Sequence, residues 1–334
     1  MKCLVTGGAG FVGTNLIKML LKEGNEVISV DNYSSGLKEN EVEGCTYLDM
    51  DLAESTPKHG SWAQGKYQLK NIDTIFHMAA LARIQTSLRE PRHHIINNFE
   101  STLNILDWSK EQGGIPIVYA GSSSKHHGVT GSPYAWVKWS GEELCKLYSD
   151  VYDVPTSICR FYNVYGPHQL IDGPYCTVVG IFQEQFKNST PLTITGDGEQ
   201  RRDFTHVEDI VDGLYKCHRA MHGEVDMRYA GAEWEFGRGV NHSINELAGY
   251  FGSDYPTEYI PARQGEYPIT LCEDEKTKEA LDWNPTKNLD DYIKNFVETE
   301  RFLIFRRLIN SSSCFSVSRT PTKTRSSGLN FTPS

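Results

Sequence analysis

A tyrosine and a lysine stand four positions apart in the segment PYAWVK, which spans residues 133–138. Positions i and i+4 share one face of a helix, so Tyr134 and Lys138 are expected side by side. An ammonium group beside a phenol stabilises the phenolate and lowers the phenol's pKa from about 10 toward neutrality. Tyr134 is therefore a candidate general base that removes a hydroxyl proton during hydride transfer, and Lys138 is the positive charge expected to lower its pKa.

Three serines, Ser122, Ser123 and Ser124, directly follow an apolar run and precede this pair. Hydroxyl groups at the carboxyl edge of a parallel sheet face the crevice in which such folds bind ligands. The serines are therefore candidates for relaying a proton to or from Tyr134. The alternative interpretation is ordinary turn and capping chemistry, in which serine is very common.

A glycine-rich segment, TGGAGFVG at residues 6–13, joins a short apolar run to a helical pattern. The first glycine of such a loop permits a tight turn, the second lets backbone N–H groups approach a pyrophosphate, and the third lets helix and strand pack closely. The helix N-terminus adds partial positive charge. The segment predicts a dinucleotide phosphate site formed by Gly7, Gly10, Phe11, Val12 and Gly13.

An acidic residue follows the second strand-like run, Val27–Val30. Asp31 lies 18 residues after Gly13, near the position of a ribose-binding acid. A carboxylate there accepts hydrogen bonds from both ribose hydroxyls and repels a 2′-phosphate, which favours NAD over NADP. We expect Asn32 in the same site. The alternative, a glycine turn with an unrelated surface aspartate, does not explain why both features follow strands.

The elements that must position these groups alternate between apolar β-rich runs and helical patterns, which is typical of βαβ units and a parallel sheet. Several strands are apolar throughout, as expected when helices cover both faces of the sheet. The predicted strands are 2–6, 26–30, 45–48, 73–77, 115–120 and 156–161. The predicted helices are 11–23, 92–112 and 134–152, followed by 176–188, 207–220, 243–251 and 288–300.

Composition excludes several classes of protein. The chain has 334 residues and a net charge of −10, which argues against a general nucleic-acid binder. No apolar run approaches the roughly 20 residues of a membrane span. A strand-like run begins almost at Met1, which argues against a signal peptide. The eight cysteines show no metal-ligand spacing, so we expect no metal site, reduced thiols and a cytoplasmic location.

The order of motifs resembles that of the extended short-chain dehydrogenases/reductases, and among them the NAD-dependent nucleotide-sugar epimerases and dehydratases of the UDP-glucose 4-epimerase type. This resemblance covers about residues 1–300. It implies a Rossmann-like doubly wound parallel sheet with a smaller mixed α/β C-terminal lobe. The motifs are TGGAGFVG, Asp31, Asp51-Leu52, His77–Ala80, the serines, YxxxK, Arg160–Pro167, 196–207 and 263–266.

The resemblance also implies roles for individual residues. Lys138 would bind the nicotinamide ribose as well as tune Tyr134, and the sugar would contact Tyr134, Ser122 and Ser123. Further cofactor contacts would come from Asp51, Leu52, Ala79, Ala80 and Asn98. The substrate diphosphate would be held by Asn163, Arg202 and Arg263. Bidentate arginine forks suit that anion, although an isolated arginine is more often part of a surface ion pair.

The stretch after the serines decides which reaction we expect. Dehydrating and decarboxylating relatives have a glutamate there, whereas this chain has Lys125, His126 and His127. We therefore expect a 4-epimerase acting on a UDP-hexose through a 4-keto intermediate. A dehydratase, decarboxylase or reductase of the same family, or a non-catalytic NAD-binding protein, is the alternative. The loop from Ser123 to Tyr134 is short. Counting back from Gly128 favours Ser123 as the catalytic serine, whereas counting on from Tyr119 favours Ser122; we prefer Ser123.

Three further expectations concern assembly, organisation and specificity. Helices 92–112 and 134–152 match the pair that forms a dimer interface in this family, so we expect a homodimer. We expect an NAD-binding domain over 1–167, a mainly substrate-binding lobe over 168–300 and a disordered basic tail over 301–334. Thr270 matches a position beside the sugar's C2 substituent, where a small side chain leaves room for an acetamido group.

Overall fold

Seven strands form a parallel sheet at the centre of the fold. The structure, a computed structural model, describes residues 1–54, 69–224, 231–263 and 265–313. The strands lie in the order β3-β2-β1-β4-β5-β6-β9. Their ranges are β1 (Lys2–Thr6), β2 (Glu26–Asp31), β3 (Cys45–Asp49), β4 (Thr74–His77), β5 (Ile117–Ser122), β6 (Thr156–Phe161) and β9 (Ala232–Phe236). The predicted α/β fold with a doubly wound parallel sheet is confirmed.

Each predicted helix is present, and its bounds differ from the prediction by a few residues, except that the last helix extends further than predicted. Helices flank the sheet. They are α1 (Phe11–Lys22), α2 (Ile84–Arg89), α3 (Pro91–Glu111), α4 (Pro133–Tyr152), α5 (Val178–Lys187), α6 (Val207–Arg219), α7 (Ile244–Gly249), α8 (Lys276–Leu281) and α9 (Leu289–Ser313). The short helices α2 and α8 were not predicted, because about one and a half turns give too little periodicity to detect.

Two apolar layers explain why the strands are buried on both faces. One layer joins the sheet to α1 and α6 through Leu16, Ile17, Leu20, Ile210 and Leu214. The other joins it to α3 and α4 through Ile105, Leu106, Cys145 and Tyr148. A sheet covered on both sides leaves only its strand ends open to a ligand.

The strand order reverses beside β1, which pairs with β2 on one side and β4 on the other. Thr6 at the end of β1 is opposite both Val30 and His77. In doubly wound sheets, ligands bind in the crevice at this reversal, beyond the carboxyl ends of the strands. The loops after β1, β2, β4 and β5 therefore point toward one region.

The remaining strands form two small sheets. A parallel pair joins β7 (Leu192–Thr195) to β11 (Thr257–Ile260), and an antiparallel pair joins β8 (Arg201–Asp203) to β10 (Asn241–Ser243). Together with α5 and α7 they form the predicted mixed lobe. Within the described residues, no helix combines the length and apolar character that crossing a bilayer requires.

The structure differs from the predicted organisation in two places. The central sheet crosses the boundary predicted at residue 167, because its last strand is β9 and one of its covering helices is α6. Residues 301–313, predicted to be disordered, continue helix α9, because residues 301–310 contain no proline or glycine. The rest of the predicted tail lies outside the described residues. The described residues up to Ile293 belong to one compact unit.

Candidate active site

A cavity of about 1040 Å³ lies at the carboxyl ends of the strands. It extends from the glycine-rich loop after β1 to residues of the C-terminal lobe. It brings together most residues predicted from the sequence: Gly7, Gly10, Phe11, Val12, Gly13, Asp31, Asn32, Asp51, Leu52, Ala79, Ala80, Ser122, Ser123, Tyr134, Asn163, Arg202 and Arg263. Of the predicted site residues, Asn98 and Lys138 do not line it.

The glycine-rich loop has no room for side chains at two of its positions. Gly7 has φ +71°, and a Cβ there would lie 2.8 Å from the backbone of Ala79. A Cβ on Gly13 would lie 2.1 Å from the carbonyl oxygen of Gly7. Helix α1 begins after Gly10 with no side-chain cap, so first-turn N–H groups are available to an anion. This backbone fits a pyrophosphate.

Asp31 closes the other side of this loop. Its carboxylate accepts hydrogen bonds from the backbone N–H groups of Ala9 at 2.9 Å and Tyr33 at 2.8 Å. Burial raises the pKa of the Asp31 carboxyl, and those two hydrogen bonds oppose the rise. Each oxygen accepts only one backbone bond, so lone pairs remain for ribose hydroxyls. The arrangement fits the dinucleotide predicted from the sequence.

The neighbouring end of the cavity, where we predict that the adenosine binds, is formed by side chains that contact each other. The Asn32 amide donates to Asp51 at 3.0 Å, and the backbone N–H of Ala53 donates to the other Asp51 oxygen at 2.8 Å. Leu52 lies beside them in the cavity wall. These contacts explain how two segments distant in sequence meet at this end of the cavity.

Asn98 has a different role from the predicted contact with the cofactor. Its Oδ1 accepts from the backbone N–H of Leu81 at 2.7 Å, and its Nδ2 donates to the Leu81 carbonyl at 3.0 Å. Both polar ends of the buried side chain are therefore used by one peptide segment. Asn98 thereby fixes the backbone directly after Ala79 and Ala80, which do line the cavity.

Tyr134 lies at the start of helix α4, which begins with Pro133 after an N-cap at Ser132. Burial raises the pKa of the Tyr134 phenol, and a hydrogen bond with Ser122 and the positive charge of Arg83 oppose the rise. The prediction that the pKa falls toward neutrality is wrong for the protein alone. Within the described part of the chain, the charge that favours the phenolate comes from Arg83, not Lys138.

Lys138 is buried one helical turn after Tyr134. Its Nζ lies 4.4 Å from the centre of the Tyr119 ring, where it makes a cation–π contact. Burial lowers the pKa of Lys138 to about 8, and the charge of Glu142 opposes this effect. A lysine with this pKa is still mostly protonated at physiological pH. The predicted contact with a nicotinamide ribose stays a prediction.

The serine segment distinguishes Ser122 from Ser123. Ser122 is the last residue of β5, and its side chain lowers the pKa of the Tyr134 phenol, while its Oγ lies 2.9 Å from that of Ser124. Ser123 begins a short 3₁₀ turn, although it also lines the cavity. The interaction with the phenol therefore favours Ser122 as its partner, in contrast to our preference for Ser123.

A buried charge network behind the serines was not predicted from the sequence. Arg160 donates to Glu142 at 2.8 and 3.0 Å and to Glu235 at 2.7 Å. The short turn after the serines joins this network, because Lys125 lies 3.5 Å from Glu142 and His126 lies 2.9 Å from Glu235. The network fastens the turn to the sheet from the side opposite the cavity.

The far end of the cavity carries the residues predicted to hold a diphosphate. Arg202 donates to the carbonyl of Tyr267 at 2.6 Å, and Arg263 is exposed. Asn163 donates to the hydroxyl of Thr270 at 2.9 Å. Thr270 is buried and lines the cavity, as its predicted position beside the sugar requires.

The cavity wall also contains residues that sequence reasoning missed. Arg83 precedes α2 with φ +93°, and nothing in the local pattern reveals either that conformation or its position beside Tyr134. His127 stacks on Tyr267 with ring centres 4.5 Å apart, so the shortened loop packs against the C-terminal lobe. The two histidines after the serines were visible in sequence, but the ring on which His127 stacks lies 140 positions further along the chain.

Comparisons with known proteins agree with this site. A sequence model described as the NAD dependent epimerase/dehydratase family matches residues 3–228. A UDP-glucose 4-epimerase of Mycolicibacterium smegmatis is 30% identical over 325 residues, covering 89% of this chain and 98% of that protein.

Two solved structures are also similar. A UDP-glucose 4-epimerase of Thermotoga maritima with UDP-glucose has a TM-score of 0.80 and 28% identity, covering 92% of this chain and 100% of that one. A UDP-glucuronic acid 4-epimerase of Bacillus cereus, in complex with UDP-glucuronic acid and NAD, has a TM-score of 0.78 and 25% identity, covering 91% and 100%. The chain therefore belongs to the NAD-dependent epimerase/dehydratase family.

Proposed function

We propose that this NAD-dependent enzyme is a nucleotide-sugar 4-epimerase whose substrate is a UDP-hexose. The observation that carries the proposal is that Ser122 and Tyr134 line one cavity with the dinucleotide loop, Arg202 and Arg263. A base, its relay and an anion site in one cavity suit oxidation at a sugar hydroxyl. The relatives named UDP-glucose 4-epimerase support this reaction.

The acids along the cavity favour epimerisation over dehydration or decarboxylation. Among the described residues that line it, the carboxylates are Asp31, Asp51 and Glu266. The first two lie at the adenosine end, and Glu266 lies near Arg202 in the C-terminal lobe. Glu142, the acid nearest the serines, is buried against Arg160. Removal of a second proton, from carbon, therefore lacks a base beside Tyr134.

The mechanism assigns separate tasks to the chain's own residues. Bound NAD supplies reversible hydride transfer. Tyr134 accepts the proton of the C4 hydroxyl and returns it later, and Ser122 relays that proton through its hydrogen bond. Arg202 and Arg263 hold the diphosphate, so the sugar can turn about its link to the phosphate. The 4-keto sugar is reduced on its other face, which inverts C4.

The test uses the purified protein without added cofactor. Denaturation is expected to release NAD, and UDP-glucose and UDP-galactose are expected to interconvert, as read by sugar NMR and by unchanged product mass. A reductase would require added NAD(P)H, and a dehydratase or decarboxylase would yield a lighter product. Either result would contradict the proposed reaction, and a protein that binds NAD but turns over no nucleotide sugar would indicate a non-catalytic role.

We further propose a homodimer formed through α3 and α4 in the cytoplasm. Ile96 and Leu147 are 43% and 48% exposed on the outer faces of these helices. Among other apolar residues of these helices, Ile95, Leu103 and Leu144 are half-buried, whereas Leu106 is buried against the sheet. All seven cysteines among the described residues are free, which supports a reducing compartment.

A further inference from the structure

Arg83 occupies an unusual backbone conformation at the wall of the active-site cavity. It directly precedes helix α2 and has φ +93° and ψ +130°. Residues other than glycine rarely adopt positive φ, and the strain is retained where the surroundings require that side chain. A bulky arginine in such a position is therefore a sign of function rather than of local propensity.

The contacts of Arg83 leave most of its guanidinium without a partner from the protein. Its Nε donates to the carbonyl of Tyr175 at 2.8 Å, and this hydrogen bond fixes the orientation of the guanidinium group. Across the part of the chain that the structure describes, no carboxylate forms an ion pair with it, although such pairs hold Arg160 and Arg201. Arg83 lines the same cavity as Tyr134.

This unpaired charge lies at the cavity wall, where the Arg83 side chain is half-buried. Arginine cannot lose its proton in a protein, and a partly desolvated charge is stabilised by an anionic partner. Desolvation lowers the pKa of Arg83, and the groups that oppose this are Tyr134 and Cys176, neither of them a carboxylate. A ligand in the cavity can supply the negative charge that the described part of the protein does not.

The position of Arg83 indicates which part of the ligand carries that charge. Arg202, one of the two arginines proposed to hold the diphosphate, is fixed to the Tyr267 carbonyl in the C-terminal lobe. Arg83 instead lies close enough to Tyr134 for its charge to act on the phenol. On the proposed function, Tyr134 faces the C4 hydroxyl. C5, the ring carbon next to C4, carries the exocyclic carbon C6, which extends beyond C4.

We propose that Arg83 binds a carboxylate at C6 of the sugar, so that the preferred substrate of this enzyme is a UDP-hexuronic acid. The guanidinium fork matches a carboxylate with two parallel charge-assisted hydrogen bonds. The inference rests on the proposed 4-epimerase function, because that function places the sugar's C4 beside Tyr134. A neutral hexose would leave the charge of Arg83 unpaired.

The experiment compares UDP-glucuronate with UDP-glucose in the NAD-loaded wild type and in Arg83→Gln. The ratio of kcat/KM for the uronate to that for the neutral sugar is expected to favour the uronate and to fall about 10- to 100-fold in the variant, mainly through KM. Arg83→Gly is a second variant, since glycine adopts positive φ without strain. Arg92→Gln removes an exposed arginine outside the cavity and is the matched control.

The outcomes separate this inference from its competitors. An unchanged ratio in both Arg83 variants would overturn it. An equal fall of kcat for both sugars, with the pH–rate profile moved to higher pH, would contradict it and show that Arg83 stabilises the phenolate of Tyr134 instead. Calorimetric binding of the two sugars is measured alongside. Preferential uronate binding that depends on Arg83, without any turnover, would contradict the proposed epimerase reaction and leave the carboxylate site standing.

Discussion

At the scale of single residues, the chemistry depends on Tyr134. Its pKa is raised by burial, so the phenol is protonated at neutral pH until a ligand's charge changes its surroundings. Tyr134→Phe is expected to lower kcat about 10²- to 10⁴-fold with NAD still bound. Because the base acts when deprotonated, the wild-type rate should rise with pH, and the variant should lose that rise. Near-normal turnover by Tyr134→Phe would contradict this role.

We expect the Asp31 carboxylate to determine the choice between NAD and NADP. Both of its oxygens are oriented by backbone N–H groups toward the cavity. Asp31→Ala is expected to weaken NAD binding and to reduce discrimination against NADP, because the repulsion of a 2′-phosphate is lost. Titration of both dinucleotides into cofactor-stripped protein measures this. A wild type that already prefers NADP would show that Asp31 has been misinterpreted.

Thr270 controls the space beside the sugar. Its hydroxyl accepts from Asn163 at 2.9 Å and from the backbone N–H of Asp203 at 3.2 Å, so its orientation is fixed. We expect the wild type to accept UDP-N-acetylhexosamines and Thr270→Tyr to exclude them by filling the space. Thr270→Val keeps the volume and loses the hydrogen bonds, so it controls for displacement of Asn163. Retained N-acetyl activity in the tyrosine variant would refute this account.

At the scale of elements, the serine turn depends on the charged pair behind it. Glu142 on α4 is fully buried and bound by Arg160 on β6. Glu142→Gln leaves part of a buried charge unpaired and is expected to cost about 3 kcal/mol of unfolding free energy. Turnover should also fall, because Ser122 follows the displaced strand end. Glu143→Gln, an exposed neighbour on the same helix, should cost less than about 1 kcal/mol in the same urea titration.

At the scale of the whole molecule, we expect the outer face of α3 and α4 to determine assembly. The proposed dimer buries Ile96 and Leu147, which are otherwise exposed apolar side chains. Leu147→Glu should convert a dimer into a monomer at micromolar concentration, as measured by light scattering, because the charge would be buried at the interface. Val240→Glu changes an exposed valine elsewhere and should leave the mass unchanged. A monomeric wild type would exclude the dimer.

The sequence by itself determined what local patterns encode. The apolar runs of β1 to β6 and the periodicity of α1, α3 and α4 were predicted to within a few residues, because burial on both faces and helical spacing leave regular signatures. The glycine loop and Asp31 were recognised because a phosphate-binding turn requires particular residues at short, fixed spacing. These features were sufficient to predict the family and its cofactor.

Only the tertiary structure decided what depends on contacts between distant segments. Asn98 binds the backbone of Leu81 instead of lining the cavity, Lys138 packs on Tyr119, and Arg83 supplies the charge near Tyr134. β9 joins the central sheet from beyond residue 230. The direction of a side chain, its burial and its pKa depend on neighbours that the fold brings together, and no local pattern records them.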